Sequence, residues 1–221
     1  MNLELELLTV TIFASAVLHI HAEYKGIRRR VYFLKPLTML LIVVMGLSLL
    51  PVNIGWYHLA LLIGLLFSIG GDVALMWPSD KFLLGLVSFL TGHVFYISGL
   101  LSGIEFSLSW YVWTPLLFFG SIMFLGLRSG LGKMQVPVLV YILVILIMSG
   151  VALERHFQLA LPQTLFAACG AGLFLLSDTL LAWNRFLVKF KSAQVLILST
   201  YYAAQWALAM SLSQPLAFRL S

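Results

Sequence analysis

The chain has 221 residues, 62% of them hydrophobic and only 10% charged, and a mean hydropathy of +1.04. Soluble domains carry about 25% charged residues, so this composition excludes an ordinary water-soluble fold and makes lipid the solvent. The length suits one helical membrane domain, taken as residues 1–221, without a separate soluble module. The formal charge of +5 sits in short loops between apolar runs, where it orients a membrane protein; no nucleic-acid partner is expected.

A bilayer-crossing helix needs about 20 mostly apolar residues, and eight such segments are predicted, at 5–21, 31–50, 57–77, 82–101, 109–127, 134–153, 161–183 and 193–213. The runs are continuously apolar, whereas a membrane β-barrel would show period-two alternation. The start, MNLELELL, lacks the basic n-region of a signal peptide, so the first run reads as a retained helix. It ends near His19 and Glu23, which share a helical face at i, i+4. Lys35 and Pro36 open the second segment, where a proline is tolerated in the first turn.

The third segment ends Gly71-Asp72-Val73-Ala74-Leu75-Met76-Trp77, and the seventh ends Ser177-Asp178-Thr179-Leu180-Leu181-Ala182-Trp183. Each has an Asp with Leu at +3 and Trp at +5. With Pro36 and Pro137 near the starts of the second and sixth segments, the pattern suggests two parallel four-helix halves. In the fourth segment Gly85, Phe89, Gly92, His93 and Tyr96 fall on one face, with glycines that permit close helix approach. Cys169, the single cysteine, excludes an internal disulfide and offers no metal spacing.

Lys25, Arg28, Arg29, Arg30, Lys35, Lys81, Arg128, Lys133, Arg185, Lys189 and Lys191 all fall in alternate loops, leaving Arg155 and Arg219 opposite. This places the odd loops in the cytoplasm and both termini outside. With no N-x-S/T acceptor in the chain, a bacterial inner membrane is the expected location.

Ionisable groups within a span cost about 2.5–3.5 kcal/mol or more, so each needs a reason. Asp72 lies about 8 Å inside its helix end at about 1.5 Å per residue, and Asp178 sits at the matching depth. An Asp this deep must pair, bind a ligand or stay protonated. The plain alternative is a hydrogen bond to a neighbouring helix or a helix cap. His93 lies about 16 Å in by the same rise; alone it reads equally as an interhelical hydrogen bonder. Two Asp residues within reach shift the reading of all three towards function. Lys35 reads first as an interfacial anchor, and otherwise as a cation for a lipid phosphate or for Asp72. For His19, Glu23, Tyr202 and Gln205 a structural hydrogen-bonding role has the edge. No G-x-S-x-G elbow, P-loop or H-E-x-x-H motif occurs.

Lys35-Pro36-Leu37, Gly71-Asp72-x-x-Leu75-Met76, then Phe82, Gly85, Phe89, Gly92-His93 and Tyr96, and Ser177-Asp178-x-x-Leu181-Ala182 together resemble the YhhN-like lysoplasmalogenase family of eight-helix membrane proteins. The similarity spans about residues 33–205, with residues 71 through 96 its most specific part; the first helix matches little. The resemblance implies an alkenyl ether hydrolase that cleaves the vinyl ether of lysoplasmalogens to a fatty aldehyde and glycerophosphoethanolamine or glycerophosphocholine.

Asp72, Asp178 and His93 are then the expected catalytic groups: one Asp, either of the two, is the acid and the other the second carboxylate, and His93 orients or relays a proton. Lys35, Tyr96, Ser177, Tyr202 and Gln205 are the expected substrate contacts. No cofactor or metal is expected, and the expected partners are a lysophospholipid substrate and membrane lipid. The rival reading is a proton-coupled transporter or lipid-binding protein, for which repeats and intramembrane Asp and His also suffice.

Overall fold

The computed structural model describes residues 3–79 and 81–213; Met1, Asn2 and the orienting Arg219 lie outside them. The described residues form eight α-helices in chain order: α1 (Leu3–Tyr24), α2 (Arg28–Ser48), α3 (Trp56–Met76), α4 (Phe82–Leu101), α5 (Trp110–Leu131), α6 (Gln135–Leu159), α7 (Pro162–Phe186) and α8 (Ala193–Met210). A single 3₁₀ turn, Gly132–Met134, joins α5 to α6. The observed helices fall on the eight predicted segments.

The main departure is at α2. It begins at Arg28, so Lys35 stands two turns inside the helix and Pro36 is interior. Arginines are good helix formers, and the triad Arg28–Arg30 supplies a first turn that hydropathy reads as loop. Pro137, by contrast, is in the first turn of α6, and Pro162 is the first residue of α7, where the missing N–H costs nothing.

Large apolar side chains cover the outside: Leu84, Val87, Phe118 and Leu125 are all more than half exposed. In water this surface would aggregate; against lipid it is solvated. Among the described residues six stretches are long and apolar enough to cross a membrane: α1, α2, α3, α4, the 50-residue Trp110–Leu159 stretch holding α5 and α6, and α7. The chain is a multi-pass membrane protein. α8 is not among these stretches, and Ser199, Thr200, Tyr201, Tyr202 and Gln205 lie within it.

Helix pairing follows a repeating scheme. α3 packs on α4 as α7 packs on α8, α1 on α2 as α5 on α6, α2 on α3 as α6 on α7, and α2 on α8 as α6 on α4. The α3–α4 contact is tight because glycines face it. A Cβ at Gly92 would lie 3.1 Å from the Gly64 carbonyl oxygen, and one at Gly64 would overlap the Tyr96 ring.

At one end of the bundle Glu154 of α6 ties the α4–α5 connection down. Its carboxylate accepts hydrogen bonds from the Ser107 hydroxyl at 2.6 Å, from the Ser109 N–H and hydroxyl at 2.8 and 3.0 Å, and from the Trp113 indole at 3.1 Å. Arg155 donates to the carbonyls of Leu100 and Ser102 and stacks on Tyr57. The opposite end, where the basic loops gather, is left open.

Candidate functional site

A cavity of about 700 Å³ enters the bundle at that basic end. Its mouth carries Glu23, Arg28, Asn184, Arg185, Lys189 and Gln194, and its depth carries Lys35, Asp72, Ser177, Asp178 and Tyr201. The lining comes from the end of α1, the start of α2, the ends of α3 and α7, and the starts of α4 and α8.

Asp72 is 2% exposed and Lys35 8%. The Lys35 ammonium lies 3.1 Å from Asp72 Oδ1, and the Tyr201 hydroxyl donates to Asp72 Oδ2 at 2.7 Å. Both carboxylate oxygens are thereby engaged. The pair exists because α2 starts early enough to carry Lys35 into the bundle beside α3. A buried charge without such a partner would be severely destabilising.

Asp178 is half-buried. Its Oδ2 accepts the Tyr141 hydroxyl at 2.5 Å. Among the described residues no basic side chain lies within ion-pairing distance of it. Both carboxyl groups line the same cavity. So each Asp meets a tyrosine hydroxyl from a neighbouring helix, and one also meets an ammonium.

The other predicted residues divide in two groups. Ser177 reaches the cavity wall, with its hydroxyl donating to the Ile197 carbonyl at 3.1 Å. His93, Tyr96, Tyr202 and Gln205 lie in the interior behind the cavity. His93 is 1% exposed and packed against Phe174, Tyr141 and Tyr96 at ring-centroid distances of 4.6, 5.3 and 6.3 Å. It touches the site through Tyr141, and neither ring nitrogen completes a well-formed hydrogen bond. Tyr96 donates to Gln205 Oε1 at 3.0 Å. The Tyr202 hydroxyl lies 2.9 Å from His19 Nδ1, and His19 Nε2 lies 3.6 Å from Glu23, which returns this chain to the cavity mouth.

The reason for the division is depth. α3 and α4 run antiparallel, and His93 and Tyr96 lie opposite Ser68 and Gly64, one to two turns, or about 6–12 Å, beyond Asp72. Sequence reading missed Tyr201 and Tyr141 as the hydroxyl partners of the two Asp residues. It also missed Asn184 and Gln194 at the mouth. Tyr201 adjoins Tyr202, a candidate already, and helical geometry points consecutive side chains about 100° apart. Tyr141 had no local signal in its apolar run.

The residues of the cavity suit an amphiphile with an anionic head. Arginine and lysine at the mouth favour phosphate, while Leu75, Met76, Phe82, Phe89 and Leu181 line the interior beside the carboxyl groups.

The sequence pattern of the YhhN family matches residues 31–212. The chain is 32% identical over 142 residues to "Lysoplasmalogenase TMEM86B" of Mus musculus, covering 64% of this chain and 58% of that protein. It is 32% identical over 162 residues to the Homo sapiens protein of the same name, covering 71% of this chain and 65% of that one. The chain thus spans less than two thirds of either mammalian relative. With the "Uncharacterized membrane protein YhhN" of Escherichia coli O157:H7 it shares 24% identity over 203 residues, 92% of this chain and 97% of that protein. No solved structure matches the chain.

Proposed function

The chain belongs to the YhhN family, and from that premise we propose that it is a lysoplasmalogenase-like hydrolase acting on the vinyl ether bond of a single-chain ether phospholipid. All eight helices span the bilayer in this reading, as two parallel four-helix halves in a bacterial inner membrane. The basic end and its cavity face the cytoplasmic leaflet. The observation that carries the proposal is the pair of carboxyl groups, each bonded to a tyrosine, inside one cavity with a basic mouth. Lysoplasmalogenase relatives in mouse and human support the choice of bond.

The two Asp residues divide the work because their surroundings differ. Asp72 is paired with Lys35 and hydrogen-bonded on both oxygens, so it is the ionised carboxylate. Asp178 meets a hydroxyl on one oxygen and is the proton donor. It protonates the vinyl carbon distal to the ether oxygen, giving an oxocarbenium ion that the Asp72 charge stabilises, as paired carboxylates do in glycoside cleavage. Water adds to the carbon bearing oxygen and returns a proton to Asp178. The resulting hemiacetal passes its hydroxyl proton to the glycerol oxygen as the C–O bond breaks. One water is consumed, and a fatty aldehyde and a glycerophospho-alcohol leave.

Arg28, Arg185 and Lys189 hold the phosphate, and Lys35 keeps Asp72 ionised. His93, wedged between Tyr141 and Phe174, sets the position of Tyr141. Tyr96, Tyr202 and Gln205 support the site from behind, and Ser177 fixes α7 against α8.

The test is mass spectrometry of free aldehyde after purified protein meets lysoplasmalogen. Wild type releases aldehyde, while Asp72→Asn and Asp178→Asn do not and keep their helicity. Full turnover in either variant removes that residue from the chemistry. Proton flux across vesicles without aldehyde release favours the rival transport reading.

A further inference from the structure

The repeating scheme of helix contacts is broken on one side of the molecule. If α1–α4 and α5–α8 correspond, the contact of α8 with α1 has its counterpart in α4 with α5, and that of α8 with α3 in α4 with α7. The first member of each pair is formed and the second is not: among the described residues α4 packs on α3 and α6, but its backbone stays away from α5 and α7. The α1–α8 seam is closed by polar and ring contacts, with Trp206 donating to Thr9 and packing on Phe13, and Tyr202 meeting His19. The α4–α7 gap is bridged by side chains: Phe82 on Phe186, Phe89 and His93 on Phe174, and the Arg185 guanidinium 4.2 Å over the Phe82 ring.

An apolar crevice occupies this gap. It runs among α4, α5, α6 and α7, walled by Leu86, Met123, Val138, Ile142 and Ile145. It is continuous with the polar cavity, since Leu75, Phe82, Phe89, Asp178, Leu181 and Phe186 border both. Asp178 and its partner Tyr141 stand where apolar wall meets polar chamber.

We propose that the crevice is the seat of the substrate's single alkyl chain, entered sideways from the bilayer between α4 and α5, with the Phe82–Phe186 ring pair as the threshold between chain and headgroup compartments. The inference rests on the hydrolase reading for the identity of the occupant, and on the helix packing for the place. A lipid whose phosphate sits at the basic mouth and whose chain lies in the crevice has its headgroup-proximal bond at Asp178. The wall spans eight residues on both α4 (Phe82 to Phe89) and α6 (Val138 to Ile145), or about 10 Å of helix. The crevice is narrow, about 30 Å³, so part of a long chain enters by displacing flexible wall side chains such as Leu86 and Met123, and the rest emerges into lipid. The α1–α8 seam is closed by the contacts of Trp206 and Tyr202, so one face of a pseudo-symmetric bundle is committed to substrate.

The experiment uses full-length protein in vesicles and a lysophospholipid carrying a photoreactive group at the end of its chain. Cross-links are expected on α4, α5 and α6 residues of the crevice, such as Leu86 and Met123. Leu86→Trp and Met123→Trp, at half-buried positions, should cut that labelling at least fivefold and lower turnover of long-chain substrate. The lipid-facing control Leu84→Trp, at a position 64% exposed, should do neither. Turnover of a substrate with a very short alkenyl chain should survive the crevice variants. Labelling concentrated on α1 and α8, or unchanged in both crevice variants, overturns the portal. Crevice labelling in a protein that releases no aldehyde leaves the portal standing and removes the hydrolase reading.

Discussion

Lys35→Met tests the arrangement of the site most directly, because it leaves Asp72 in place without its counter-ion. At the observed separation of 3.1 Å, two unit charges attract by about 5 kcal/mol in a medium of effective dielectric about 20. Removing one member of a buried pair costs about 3–5 kcal/mol, since the survivor is left uncompensated. The Tyr201 bond to Asp72 remains and keeps the loss at the lower end. A chain of this size loses about 2–4 °C in Tm per kcal/mol, so a loss at that lower end, about 3 kcal/mol, gives a fall of roughly 6–12 °C.

Lys35→Met/Asp72→Asn removes both charges, and Asn still accepts the Tyr201 bond through its carbonyl. The double variant should melt within a few degrees of wild type and remain inactive. The assay is intrinsic tryptophan fluorescence on heating in detergent, run as a double-mutant cycle. A Lys35→Met protein that melts with wild type, or a double variant that loses the sum of the single losses, would show that the pair is not the coupled buried unit described here.

Tyr141→Phe deletes the donor to Asp178 Oδ2 and should lower kcat about 10–100-fold, the worth of a charged hydrogen bond of about 1.5–3 kcal/mol, with KM little changed; steady-state aldehyde release reads both. Gly64→Ala forces a methyl group into the Tyr96 ring and should cost about 1–3 kcal/mol of stability, seen as a lower Tm. Gly172→Ala, which meets nothing within 4 Å, should melt like wild type. Glu154→Gln sets an amide N–H₂ among the Ser107, Ser109 and Trp113 donors. It should release the α4–α5 connection to limited proteolysis while leaving the far end of the bundle, and turnover, intact.

Sequence alone determined the solvent, the helical class and the two Asp residues that stand in the cavity. The reason is that hydropathy and helix length are local quantities set by a bilayer about 30 Å thick. An Asp at the end of an apolar run is conspicuous whatever surrounds it. Sequence was misleading at Lys35, because the Arg28–Arg30 turn reads as loop by composition and forms helix by propensity.

Tertiary structure alone decided which side chains meet. In a helix apolar all round, no periodicity reveals the inward face, so nothing local marked Tyr141 as the partner of Asp178 or Tyr201 as that of Asp72. Depth was likewise invisible. His93 and Tyr96 share a face with Phe89, yet the antiparallel α3–α4 packing carries them a turn or more past Asp72 and into the core behind the cavity. The missing α4–α5 contact is a property of the assembled bundle, since it depends on how four helices divide the space between them.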